Sequence, residues 1–129
     1  MLIPCAGYVQ AGFPSPASDF SEEPIDLAKE LVSNEAATYY FRVNGESMLD
    51  AFMPVGAILV VDRSLPYQNG TIVVAVVDGE FTVKRYEKRL GKERLLPENK
   101  RFKPIEIHEY TDFKVWGVVK HIVINAKTV

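Results

Sequence analysis

The sequence predicts a mostly-β single domain with one or two short helices, and three observations predict it. Five runs are rich in β-branched and aromatic residues. Turn signals separate these runs, the sharpest being Asp78-Gly79. Only one stretch, near the N-terminus, carries apolar residues at helical spacing. The length of 129 residues holds one domain rather than two, and 47% hydrophobic with 25% charged residues is the balance of a soluble protein that buries a core without staples.

Residues 1–23 read as an extended N-terminal arm and residues 24–129 as the domain. The arm contains Gly7, Gly12, Pro14, Ser15, Pro16 and Ser18 and has no clear period. Pro14 and Pro16 favour extended backbone at Phe13 and Ser15. An extended arm is what a protease cleft binds, because clefts pair with substrate as an added strand. From Ser21 to Val32 the pattern is helical: Glu22 and Glu23 suit a first turn, Pro24 is tolerated there, and Ile25, Leu27, Ala28, Leu31 and Val32 form an apolar stripe. The five strand runs are Thr38 to Asn44, Ala57 to Asp62, Thr71 to Val77, Glu80 to Tyr86 and Phe113 to Ile124. Pro54-Val-Gly56, Gln68-Asn-Gly70 and Asp78-Gly79 supply turns between them, and Pro97 to Lys100 is a further loop. No internal repeat or low-complexity stretch is present.

Several function classes are disfavoured. A net charge of −2 and a pI near 5.7 argue against a broad nucleic-acid-binding face, which needs clustered positive charge. The single cysteine, Cys5, forms no internal disulfide and fits a reducing compartment. Neither His108 nor His121 stands at metal-ligand spacing to it. No run approaches the roughly 20 apolar residues of a membrane span, and Met1 to Gln10 lacks the basic start and apolar run of a signal peptide. A cytoplasmic location is expected.

Two stretches carry candidate chemistry. Gly45-Glu46-Ser47-Met48 ends a strand run, where a serine exposes its hydroxyl and nearby backbone N–H groups are available as an oxyanion hole. In Gly79-Glu-Phe-Thr-Val-Lys84-Arg85, alternation puts Phe81 and Val83 on one face and Glu80, Thr82 and Lys84 on the other. Taken singly, the serine reads as turn chemistry and the lysine as a solvated edge charge. Together they are more specific.

With these stretches the chain resembles the LexA/UmuD family of serine–lysine self-cleaving proteins, and most closely its UmuD branch. The matching segments are Ala11-Gly-Phe-Pro-Ser-Pro-Ala17, Arg42-Val-Asn-Gly-Glu-Ser-Met48, Ile58-Leu-Val-Val-Asp-Arg-Ser64, Asp78-Gly-Glu-Phe-Thr-Val-Lys-Arg85, Leu96-Pro-Glu-Asn99 and Trp116-Gly-Val-Val119. They follow the family's order and cover nearly the whole chain from Gly12 onward. The resemblance implies a LexA C-terminal-like (β-clip) domain, with Ser47 as nucleophile, Lys84 as general base and Ala11–Gly12 as the scissile bond. UmuD itself has Cys before that Gly; Ala is the LexA-like choice. Many relatives have Asp where this chain has Glu46, Ala57 and Thr71, and none of these changes removes a catalytic group. The segment before the cut, Met1 to Ala11, is shorter than in the best-known UmuD proteins.

A Ser–Lys pair works only if the lysine is neutral. A free lysine, with a pKa near 10.4, is only about 0.04% neutral at pH 7. Desolvation disfavours the charged form and lowers the pKa. Phe81, Val83 and Tyr86 are the candidate apolar surroundings, and Arg85 is expected to point away from the serine. No metal or organic cofactor is required. The linker between Gly12 and Ser47 is long enough for the bond to reach the cleft of its own chain or of a second copy.

The resemblance further implies a DNA-damage role. A RecA filament on single-stranded DNA stimulates the cleavage, and the trimmed homodimer joins a UmuC-type polymerase for error-prone translesion synthesis. Three alternatives stand beside it. One is an uncleaved, non-enzymatic binding module of the same fold. The second is a LexA-like regulator, for which a helix-turn-helix is expected ahead of the cut, where eleven residues stand. The last is a signal peptidase, for which a membrane anchor is expected. Sequence-specific DNA binding is accordingly not expected.

Overall fold

The computed structural model describes residues 1–14, 16 and 22–128. Two compact units emerge, Met1–Ser33 and Asn34–Val129. Among the described residues no helix is long and apolar enough to cross a membrane.

In the first unit, strand β1 (Leu2–Cys5) pairs antiparallel with β2 (Glu22–Asp26), with Leu2 opposite Asp26 and Ile3 opposite Ile25. The N-terminal ammonium reaches Asp26 Oδ2 at 3.0 Å. Asp26 also caps helix α1 (Leu27–Leu31), its Oδ1 accepting from the Lys29 N–H at 3.3 Å. The helix expected from Ser21 to Val32 is therefore shorter. Ser21, like Ser15 and Ser18 of the arm, lies outside the described residues, and Glu22–Asp26 is a strand. Two causes are visible in the residues. Pro24 donates no N–H and Ile25 is β-branched, which a two-stranded edge tolerates. Asp26 as N-cap must itself be non-helical, and its φ of −93° and ψ of 100° are extended. The aperiodic look of residues 1–23 also hid β1, whose partner is about twenty residues away.

The second unit is one antiparallel sheet of seven strands. Its members are β3 (Thr38–Arg42), β4 (Ile58–Asp62), β5 (Ile72–Val77), β6 (Glu80–Arg89), β7 (Lys92–Leu96), β8 (Ile105–Glu106) and β9 (Phe113–Val123), in the spatial order β3-β4-β9-β5-β6-β7-β8. The fold is mostly β with few short helices, as the sequence predicts. The hairpin at Asp78-Gly79 forms as expected, with both residues at positive φ, 49° and 83°, and Val77 opposite Glu80. β6 runs three residues beyond its expected end and pairs there with β7. β9 skips Trp116 against β5 and Lys120 against β4, and such bulges bend a strand and increase its twist.

The unbroken apolar run of β5 has a simple cause: both its faces are covered. Val74 packs with Met48, Met53, Leu59 and Val61, whereas Val73 and Ala75 pack with Tyr86 and Leu95. The first cluster lies beneath the Ser47 loop, and the second anchors the strand that carries Lys84. Arg63 joins β4 to β9, donating from Nε to the Trp116 carbonyl at 2.9 Å with its guanidinium 4.2 Å from the indole centroid.

Candidate active site

β3 delivers the chain to Val43, whose N–H and carbonyl bond Ala57 and Gly56. Gly45, at φ 116°, then turns the backbone in a way an L side chain resists. Ser47 follows, half-buried, and Met48 drops into the first core cluster at 1% exposure. A 3-10 turn at Leu49–Ala51 closes the loop. Burying Met48 fixes Ser47 from below: rotating the loop would pull a large apolar side chain into water, at a cost of about 1.5–3 kcal/mol.

β6 brings Lys84 to this loop. Lys84 Nζ donates to Ser47 Oγ at 2.7 Å, to Thr82 Oγ1 at 2.8 Å and to the Val83 carbonyl at 3.1 Å. Thr82 shares the Lys84 face of the strand, as alternation predicts. Lys84 is 8% exposed, and burial pushes its pKa below the ordinary lysine value. All three of its hydrogen-bond partners are uncharged, so no carboxylate among them restores the ammonium. Ser47 and Lys84 border a cavity of about 590 Å³ whose lining includes Phe41, Phe81, Val83 and Ile105. Phe41 and Phe81 meet edge to face across 5.3 Å.

Tyr86 belongs to the second cluster, and its hydroxyl donates to Glu93 Oε2 at 2.6 Å. Arg85 turns from the serine, donating to Glu98 Oε1 at 2.6 Å and to the Gly70 carbonyl at 2.5 Å. Ala11 and Gly12 lie in the first unit, in the connection between β1 and β2, and are exposed.

Sequence reasoning gave no role to three groups that the site uses. Thr82 and the Val83 carbonyl hold the lysine. The loop at Glu98 and Asn99 holds the serine: the Glu98 N–H donates to the Ser47 carbonyl and Asn99 Nδ2 to the Glu46 carbonyl, each at 2.8 Å. The Thr82 signal was present in the strand alternation. The loop was marked only as the matching segment Leu96-Pro-Glu-Asn99, with no role attached to it.

A half-buried serine hydroxyl stands 2.7 Å from a buried lysine whose hydrogen-bond partners are uncharged, a geometry in which an amine can act on a hydroxyl proton. The comparisons with known proteins give the family. A model of the Peptidase S24-like family matches residues 4–120. Protein MucA of Salmonella typhimurium is 43% identical over 118 residues, covering 91% of this chain and 80% of MucA. Protein ImpA of Shigella flexneri is 54% identical over 76 residues, 59% of this chain and 52% of ImpA. The LexA repressor of Hahella chejuensis is 42% identical over 106 residues, 82% of this chain and 52% of the repressor. The alignment with MucA spans nearly all of the chain, and the family match includes both Ser47 and Lys84. The chain belongs to the Peptidase S24-like family, within its LexA/UmuD group and on the UmuD branch.

Proposed function

We propose that this chain is an SOS-response self-cleaving protein that cuts its own Ala11–Gly12 bond, with Ser47 as nucleophile and Lys84 as general base. The observation that carries the reading is the 2.7 Å contact between Ser47 Oγ and a buried lysine whose partners are all neutral. A neutral amine keeps two N–H bonds and one lone pair. Thr82 Oγ1 and the Val83 carbonyl take the two N–H bonds, which turns the lone pair toward the Ser47 hydroxyl proton.

The steps follow from that orientation. Lys84 Nζ takes the Ser47 proton as Oγ attacks the Ala11 carbonyl carbon. The tetrahedral oxyanion is held by the N–H groups of Ser47 and Met48. As the C–N bond breaks, the Lys84 ammonium gives its proton to the departing Gly12 amine, leaving Ala11 esterified to Ser47. Water, deprotonated by Lys84, hydrolyses the ester and frees residues 1–11.

Membership of the UmuD branch supports the wider role. A RecA filament on single-stranded DNA stimulates cleavage in the cytoplasm, and the trimmed homodimer serves a UmuC-type translesion polymerase. The test is the intact mass of the protein after incubation near pH 10, beside a Ser47→Ala control. A species beginning at Gly12 in the wild type alone establishes the reaction and the bond. Two intact chains, with RecA filaments present as well, sink the reading in favour of an uncleaved binding module.

A further inference from the structure

Both backbone polar groups of Glu98 are spent on the serine loop. Its N–H donates to the Ser47 carbonyl and its carbonyl accepts from the Asp50 N–H, each at 2.8 Å. The next residue acts on the other side of the serine, where Asn99 Nδ2 donates to the Glu46 carbonyl at 2.8 Å. The two peptide planes that flank Ser47 are thus each gripped by their carbonyl oxygen. Peptide units are rigid and trans, so fixing a C=O aims the N–H on the opposite side of the same plane. The planes in question carry the N–H groups of Ser47 and Met48. Ser47 then has only its side-chain rotation left with which to aim Oγ.

The side chain of Glu98 is held in turn by Arg85, at 2.6 Å. Arg85 is the residue after Lys84, on the opposite face of β6. One strand therefore presents the lysine to the hydroxyl and, through the next side chain, anchors the segment that grips the serine backbone. Both partners of the Arg85–Glu98 pair are about one-third exposed. A pair so wet contributes at most about 1 kcal/mol to stability. Its effect on geometry has no such ceiling, because a misplacement of about 1 Å costs roughly 100-fold in rate.

We infer that Glu98, anchored by Arg85 and assisted by Asn99, is a positioning residue that sets both the aim of Ser47 and the direction of the two N–H groups offered to the oxyanion. The inference rests on Ser47 and Lys84 being the reacting pair. It leaves the lysine's own environment untouched, which gives it a distinctive signature. Self-cleavage of the full chain is followed from pH 6 to 10 for wild type, Glu98→Gln, Asn99→Asp and the charge-swapped double variant Arg85→Glu/Glu98→Arg, with urea midpoints for each. Glu98→Gln and Asn99→Asp are expected to lower the plateau rate by about 10- to 100-fold. The pH midpoint stays where wild type has it, the urea midpoint changes little, and the charge swap regains most of the rate. Plateau rates equal to wild type, or losses that only track a falling urea midpoint, overturn the inference while leaving the Ser47–Lys84 reading intact. A shifted pH midpoint also overturns it, by placing the effect on Lys84. A wild-type chain that never cleaves overturns both.

Discussion

Lys84 is held where its charge is unwelcome, and that fact has two separable consequences. Burial lowers its pKa, so the rate of self-cleavage is expected to rise with pH through a midpoint below the ordinary value of about 10.4 and then level off. A rate that is flat or falls between pH 6 and 10 removes lysine as the base. The same desolvation costs stability. Below the folded-state pKa the unfolded chain holds this proton more tightly, so the penalty is fully present there. It shrinks as pH rises and vanishes above the unfolded value. Lys84→Met keeps an apolar chain of similar length and carries no charge. It is expected to lower cleavage by about 10²–10⁴-fold. At pH 7 its urea midpoint should exceed that of wild type, and the gap should close towards pH 10. A variant less stable than wild type at pH 7 would mean that the three hydrogen bonds of the ammonium outweigh its desolvation.

At the scale of elements, Gly117 shows how tightly β9 is pressed against β4. A Cβ built there would stand 2.7 Å from Val61 Cγ1 and 3.4 Å from Arg63 Cγ. Val61 is fully buried and, being β-branched, cannot rotate aside cheaply. Gly117→Ala is therefore expected to cost about 1–3 kcal/mol, read as a lower urea midpoint with unchanged slope; an unchanged midpoint would show that β9 can shift at its bulges. Legibility of the elements follows the same physics. β4 and β5 were readable because buried strands are nearly all apolar, and β9 because it is rich in β-branched and aromatic residues. The β5–β6 hairpin was readable because Asp-Gly suits two positive φ angles. The β6–β7 hairpin makes the same turn with Leu90 at φ 52° and Gly91 at 75°, a leucine where Asn or Asp would have announced it. β7 itself is disguised by charge: Glu93 meets Tyr86, and Arg94 meets Glu87 at 2.8 Å, so its outward pattern reads as solvated loop. Weak local signals and strong cross-strand ones leave such a strand invisible until its neighbour is placed.

At the scale of the whole molecule, Ser47 and Lys84 are far apart in sequence and legible only because each sits in a recognisable segment. The Glu98 grip was not legible at all, since backbone hydrogen bonds carry no residue identity. The pairing of β1 with β2 was not legible, and it would make the proposed cut more than a trimming. β1 lies wholly before Ala11–Gly12 and β2 wholly after it. The proposed cleavage would thus turn an intramolecular strand partner into a separate peptide of residues 1–11. A two-stranded ribbon is marginal in water even when its strands are linked. Once unlinked, the peptide would also lose the high effective concentration of tethering, and the contact between its ammonium and Asp26 would go with it. Hydrogen exchange on full-length Ser47→Ala, beside a chain beginning at Gly12, measures the consequence. Amides of Glu22, Glu23, Ile25 and Asp26 are expected to exchange at least about tenfold faster in the shorter chain, while those of Val73 and Leu95, in the separate core of the second unit, keep their protection. Equal exchange at residues 22–26 would mean that β2 holds its conformation without β1. Faster exchange at Val73 and Leu95 would mean that the arm supports the sheet. Only loss confined to β2 fits a cut that frees one strand edge and leaves the second unit whole.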